Sequence, residues 1–396
     1  MGKIHRAAKE GNLQEVERLL RGGFLRRPAD VNEMDSHSGS RPLGIAVAYG
    51  HIELAKLLLA TGADADGASK SGGRPLVTAL THNHVELAEL LLEKGASVNS
   101  SADGETPLHL AIKGGHIELS KLLLERGASV NSSADGETPL HLAIKGGHIE
   151  LAKLLIQRDA DIAAANVTKY TPLHLAIKGG HVELAKLLIQ RDADIAAANI
   201  HSETPLHLAA EGGYRELVEL LIEKGADVAP TNSYSETPLH LAVEGGYREL
   251  AKLLIEGGAD PRGAGRYGNS PLHYAFKDGA LHLGVAQLLL DSGAVVGARN
   301  ANGWTPIHVA SSNESPRGVD FLLQHGADPN VASYDGTTPL HHSSALGRTT
   351  VMNVLLVAGA HVDAKDTKGF TPLDAALSQG MHQAVGILLN HGASRV

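Results

Sequence analysis

Residues 106–137 read TPLHLAIKGGHIELSKLLLERGASVNSSADGE. The Thr106 hydroxyl can cap a helix, and Pro107 suits the first helical position, where no amide donor is needed. Leu108, Ala111 and Ile112 follow at helical spacing, and the small Ala111 permits close helix approach. Gly114-Gly115 ends this helix, because glycine takes the left-handed terminal conformation cheaply. The run from His116 to Glu125 predicts a second helix with Leu119, Leu122 and Leu123 on one face, ended by Gly127. Ser129 to Glu137 reads as a connector with a turn at Asp135-Gly136.

The same order recurs every 32–35 residues, with starts at Arg41, Arg74, Thr106, Thr138, Thr171, Thr204, Thr237, Ser270, Thr305, Thr338 and Thr371. The motif degenerates to RPLG at Arg41, RPLV at Arg74, SPLH at Ser270, TPIH at Thr305 and TPLD at Thr371. Ile4-His5-Arg6-Ala7-Ala8 aligns with Leu-His-Leu-Ala-Ile, which makes twelve units in 396 residues. Helix pairs this short cannot bury an apolar face alone, whereas stacked neighbours can.

The period and the Thr-Pro-Leu-His signature resemble the ankyrin repeat family over the whole chain. The resemblance implies an all-α solenoid of helix-turn-helix units joined by β-turn finger loops, in a curved superhelical stack. It further implies one domain over 1–396. Residues 1–40 form an N-terminal cap with an extended loop at 24–40, 41–370 ten internal repeats, and 371–396 a C-terminal cap. The caps offer polar outer residues, among them Arg6, Glu10 and Glu17 at one end and Asp374, Gln379 and Asn390 at the other. Asn83 replaces a junction glycine, two residues are added after Gly279, and the unit at Thr305 lacks Gly-Gly-His but offers Ser315-Pro316 as a cap and first residue. These are expected to be the weakest steps.

Composition removes several function classes. With no cysteine there is no disulfide framework, thiolate zinc site or cysteine nucleophile. A net charge of −9 argues against nucleic acid as the main partner. No run of about 18 apolar residues predicts a membrane span. The start resembles no signal peptide, so the expected setting is cytoplasmic. Only 13 residues are aromatic, so the core is expected to be Leu, Ala, Ile and Val.

Histidine, at 23 residues, invites a metal or general-base reading. His109, His141, His174, His207, His240, His273, His308 and His341 all hold the fourth motif position. Packed helices lie about 8–10 Å apart, whereas zinc needs nitrogen within about 2.1 Å, so equivalent histidines cannot share an ion. The resemblance implies that each ties the Thr and turn backbone together within and between units. Gly263 to Gly268 matches G-x-G-x-x-G literally, but it follows a helix and fills a connector, not the strand-to-helix turn that a dinucleotide fingerprint requires. Asn99, Asn131, Asn166 and Asn313 head glycosylation sequons in connectors or turns. Ser394-Arg395-Val396 has the form of a terminal PDZ ligand or of a truncated connector. No catalytic motif, cofactor or metal is expected.

Ankyrin arrays generally bind proteins through turn tips and the exposed side of the first helix. Six aromatics fall in the five-residue windows before Thr-Pro: Tyr170, Tyr234, Tyr267, Trp304, Tyr334 and Phe370. An even spread of the 13 would place about two there. They are candidate interface anchors, with packing on a neighbouring turn as the alternative. Trp304 is expected to contact the partner while contributing little to stability. The eighth position reads Lys113, Lys145, Lys178, Glu211, Glu244, Lys277, a charge stripe that could orient a partner or be a solvated face. Residues 95–119 and 127–151 are identical, so the diversified C-terminal half is the better candidate for specific recognition. The reading is a non-enzymatic protein-binding scaffold, monomeric, using the concave face and turn tips. The alternatives are a spacer or engineered array without a ligand, or an enzyme with a pocket in the concave groove.

Overall fold

The computed structural model describes residues 2–22, 27–101, 104–279 and 281–394. Among these, 24 α-helices and two short 3-10 turns form the chain, with no strand. One isolated bridge, between Ala134 and Glu137, closes a finger. The chain divides into two compact units, Met1–Ala193 and Asp194–Val396.

In the first, the repeat beginning at Thr138 displays the design. Pro139–Lys145 and Ile149–Gln157 are its two helices. Thr138 and His141 cap each other: the His141 amide donates to Thr138 Oγ1 at 3.4 Å, and the Thr138 amide to His141 Nδ1 at 3.2 Å. Gly147, at φ 71°, turns the chain so that the His148 amide reaches the Ala143 carbonyl at 2.8 Å. Leu140, Ala143, Ile144, Leu151 and Leu155 are buried, each large one worth about 1.5–3 kcal/mol relative to exposure. The helices Pro107–Lys113 and Pro172–Lys178 flank Pro139–Lys145 on either side. Ala143 is fully buried, so enlarging it to Leu would overpack the contact by about 1–3 kcal/mol. The finger turns as its sequence predicts, with Asp135 at φ 52° and Gly136 at φ 77°, the primed hairpin geometry.

The second unit repeats this plan from Pro205–Glu211 to His382–Asn390. Its deviant steps are those the sequence marks. At Ser270 the first helix shrinks to Pro271–Tyr274, followed by a 3-10 turn at Lys277–Gly279. Here the expectation of an aromatic-free core is corrected, because Tyr274 and Phe276 are fully buried. The Phe276 ring lies 6.3 Å from Phe321 and passes over Gly318, where a Cβ would stand 2.9 Å from the ring. In the next repeat Pro316 does open the second helix, Pro316–Gln324, but the Ser315 side chain makes no cap bond. Glu314 at φ 53°, and Asn83 at φ 60° in the first unit, take the left-handed turn that glycine takes elsewhere.

Candidate functional site

Each motif histidine is spent on the fold. His109, His141, His207, His240, His308 and their equivalents are at most 3% exposed. Nδ1 accepts from the cap residue's amide, so Nε2 carries the proton and donates forward. His141 reaches the Tyr170 carbonyl at 3.1 Å, His240 that of Asn269 at 3.2 Å, and His273 that of Trp304 at 3.0 Å. Each acceptor belongs to the finger of the following repeat. Burial pushes the imidazoles down, His240 and His273 to about 4 and His308 to about 3. No cluster of three or more His, Cys, Asp or Glu able to hold a metal occurs among the described residues. In the last repeat Asp374 replaces the histidine: its carboxylate accepts from the Thr371 amide and hydroxyl, both at 2.8 Å. A carboxylate has no donor with which to reach a following finger carbonyl.

Forward tethering fixes the fingers, and backbone bonds join neighbouring tips. In the second unit the Ser233 amide donates to His201 O at 2.8 Å, Ala301 to Tyr267 O at 2.9 Å, Tyr334 to Asn302 O at 3.1 Å and Thr367 to Asp335 O at 3.0 Å. On this frame Tyr234 is 49% exposed, Tyr267 67%, Tyr334 66% and Phe370 54%. The Arg266 guanidinium stacks between Tyr234 and Tyr267, 4.9 and 5.0 Å from their ring centres, and Arg299 lies 6.0 Å from the Tyr334 ring. Tyr267 sits at φ 57° in its turn, a strained setting for a bulky residue.

Two of the six window aromatics are placed otherwise. Tyr170 is buried. Its hydroxyl accepts from Lys178 Nζ at 3.1 Å, and its ring meets His174 edge-on at 5.8 Å. Trp304 is half-buried, with its ring 4.2 Å from His342 and 6.2 Å from His308. The expectation that Trp304 contributes little to stability is therefore corrected. His342, the neighbour of motif residue His341, is drawn into this packing, and burial pushes it down to about 4.

The charge stripe is internally compensated at most of its members. Lys113 pairs with Glu105, Lys145 with Glu137 at 2.9 Å, and Lys277 with Glu244 at 2.6 Å. Glu211 closes the helix Pro205–Glu211. A count restricted to aromatics missed Val167, 73% exposed, and Ile200, 49% exposed, also on fingers. The windows before the cap also leave out Tyr49, the residue that closes the helix Pro42–Ala48, 53% exposed. The glycine run 263–268 forms a finger with a 3-10 turn at Arg266–Gly268, and no strand precedes it. Arg395 and Val396 of the PDZ-like terminus lie outside the described residues, as do Phe24 to Arg26 of the expected 24–40 loop. No helix among the described residues is long and apolar enough to cross a membrane.

The model of a family described as ankyrin repeats (3 copies) matches residues 4–102, 98–166, 163–232, 239–333, 282–366 and 331–395. No curated protein matches the chain. Among solved structures, the human ASB11 ankyrin repeat domain is similar at 27% identity and a TM-score of 0.52, covering 57% of this chain and 100% of that one. Ankyrin repeat folds are generally protein-interaction modules without catalytic activity. With the family matched from residue 4 to residue 395 and the capped, histidine-tethered helix pairs in place, the chain belongs to the ankyrin repeat family.

Proposed function

We propose that this chain is a non-enzymatic scaffold that binds a partner protein through the fingers of residues 194–396. One observation carries the reading: four exposed aromatic rings stand on the fingers, with those of Tyr267, Tyr334 and Phe370 joined in sequence by backbone bonds and Tyr234 linked to Tyr267 through the Arg266 guanidinium. Rigid rings bury large area at small entropy cost, so a few such residues dominate an interface. The stacking of Arg266 and Arg299 on three of them lowers that cost further. Trp304 supports the row from beneath through His342, and its exposed edge adds to the surface. Lys113, Lys145, Lys178, Glu211 and Glu244 act at long range, steering approach and adding little to the bound state.

Site-specific photo-crosslinking tests this. A benzophenone amino acid at Tyr267 or Tyr334 is expected to capture the same partner, and one at Val167 to capture none. Tyr267→Ala and Tyr334→Ala are each expected to weaken capture by about 2 kcal/mol without lowering the melting temperature. Equal capture from all three positions would refute the assignment.

A further inference from the structure

The repeats beginning at Arg41 and Arg74 break the motif at its fourth position, with Gly44 and Val77 where nine other repeats, counting His5 in the first, carry histidine. Loss of that histidine should leave a finger carbonyl without its donor and a hole beside the helix. The first defect is bypassed rather than repaired: the equivalent carbonyl, that of Gly73, takes the Ser69 amide of its own finger at 2.8 Å, and Arg41 ties to the following finger at Ala68 instead. Arg41 Nε donates to the Ala68 carbonyl at 3.1 Å and Nη1 to the Asn32 carbonyl at 3.2 Å. The space remains: a Cβ added at Gly44 would meet nothing within 4 Å.

A cavity of about 610 Å³ occupies this place in the first unit, a size typical of ligand sites. Its floor is Gly44, Ile45, Ala48 and the Tyr49 ring, which is 53% exposed. Lys9 and Arg41 bring positive charge to the wall, Lys9 Nζ lying 5.6 Å from the Tyr49 ring centre. Asp35 is the carboxylate among the lining residues. It is committed inward, accepting from the Gly2 amide at 3.1 Å and from the Ser38 amide and hydroxyl, both at 2.9 Å. The hydroxyls of Ser40, Ser69 and Ser71 also line the cavity, from two fingers joined by the Lys70 amide bonded to Gly39 O at 2.8 Å.

We propose that this cavity is a binding site for an acidic residue next to an aromatic or branched apolar one on a partner polypeptide. The apolar side chain fills the place of the missing histidine and stacks on Tyr49. The carboxylate meets Lys9 and Arg41, and the Ser hydroxyls accept the flanking main-chain amides. An apolar floor alone would take any greasy group, but two cations beside an internally bonded carboxylate select a negative one.

The test uses the whole chain and two dyes of the same ring size. They are 1-anilinonaphthalene-8-sulfonate, an aromatic anion, and N-phenyl-1-naphthylamine, which is uncharged. The anion is expected to bind at one site and to weaken by about five-fold or more in Lys9→Gln, the loss of one charge and one cation–π contact. The neutral dye is expected to bind less well and to ignore that change. Gly44→His refills the hole with the array's own residue and is expected to abolish binding of the anion. Should that variant fail to fold, Tyr49→Ala at a half-exposed position is expected to do the same while retaining its melt. Acetyl-Phe-Glu-amide is expected to displace the dye and acetyl-Phe-Gln-amide not to. Equal affinity for the two dyes, or unchanged anion binding in a folded Gly44→His or Tyr49→Ala, overturns the site. Displacement by 3-phenylpropionate but not by the acidic peptide overturns the polypeptide assignment in favour of a free acid.

Discussion

Replacing Trp304 with alanine separates packing from recognition at the one tryptophan of the chain. The backbone bonds at this position survive the change, because the Trp304 carbonyl still accepts from His273 and its amide still reaches Asn300 Oδ1 at 2.9 Å. What is lost is the ring. A fully buried Trp→Ala change costs about 3–5 kcal/mol, so a half-buried one should cost about 2 kcal/mol. That figure includes the contact at 4.2 Å to His342, of a kind worth about 0.5–1.5 kcal/mol. Uncovering His342 should also let its pKa climb from about 4 towards the ordinary histidine range. The assay is urea unfolding by circular dichroism, with amide exchange over residues 305–345 because a solenoid need not melt in one step. Histidine titration by NMR reads the second effect. Partner affinity of the folded fraction should change far less than in Tyr267→Ala. An unchanged unfolding midpoint together with a large loss of binding would refute this and restore Trp304 as the main anchor.

Acid should loosen the second unit. His240, His273 and His308 have folded pKa values depressed to about 4, 4 and 3, so the unfolded chain takes up protons first. Stability present above about pH 6.5 is lost as pH falls towards 4, on the order of 3 kcal/mol per site. Urea midpoints that stay level from pH 7 to 4.5 would contradict this. Asp159 holds φ 62° where the equivalent Gly127 holds 86°, so Asp159→Gly should raise stability by about 0.5–1 kcal/mol, and a lowered melting temperature would count against it. Amide exchange should run faster over residues 74–84 and 305–320 than over 106–200, since neighbour coupling leaves the deviant repeats weakest. Uniform protection would be the opposing result.

Local rules made most of the fold legible. Thr-Pro starts, Gly-Gly junctions and Leu/Ala spacing act within one or two turns of chain, so sequence alone could place them. The aromatics were legible only as a group, because their fates depend on the step they occupy in the finger. Tyr170 and Trp304 directly precede the cap residue, where the carbonyl is drawn in by the preceding repeat's histidine. Their rings fall onto helices, Tyr170 against Lys178 and Trp304 against His342 of the following repeat. Phe370 holds the same step but stays 54% exposed. Tyr234, Tyr267 and Tyr334 sit three or four residues ahead of the cap and stand out on the turn. The burial of Tyr274 and Phe276 was not legible, because the space for Phe276 is made by Gly318, 42 positions away in sequence.

The tethering network also states where this chain is free to specialise. The cap, the proline, the histidine and the backbone carbonyl before the next cap are consumed in joining one repeat to the next. A repeat cannot vary them without repair. The places left for recognition are the outer finger steps, where Tyr267 and Tyr334 stand, the side chain before the cap where it stays exposed as Phe370 does, and repeats whose tether has been rebuilt by other means. Arg41 rebuilds one, and the bypass carries a consequence that the ordinary tether does not. A guanidinium reaches the finger from the cap position and leaves the fourth position empty, whereas the imidazole fills the space it spans. Asp374 alters the network in the opposite sense, keeping the cap and giving up the forward bond. One departure opens a cavity and the other ends the series of tethers. A motif break is therefore read by what replaces the lost bond, and the one at Arg41 leaves room for a ligand.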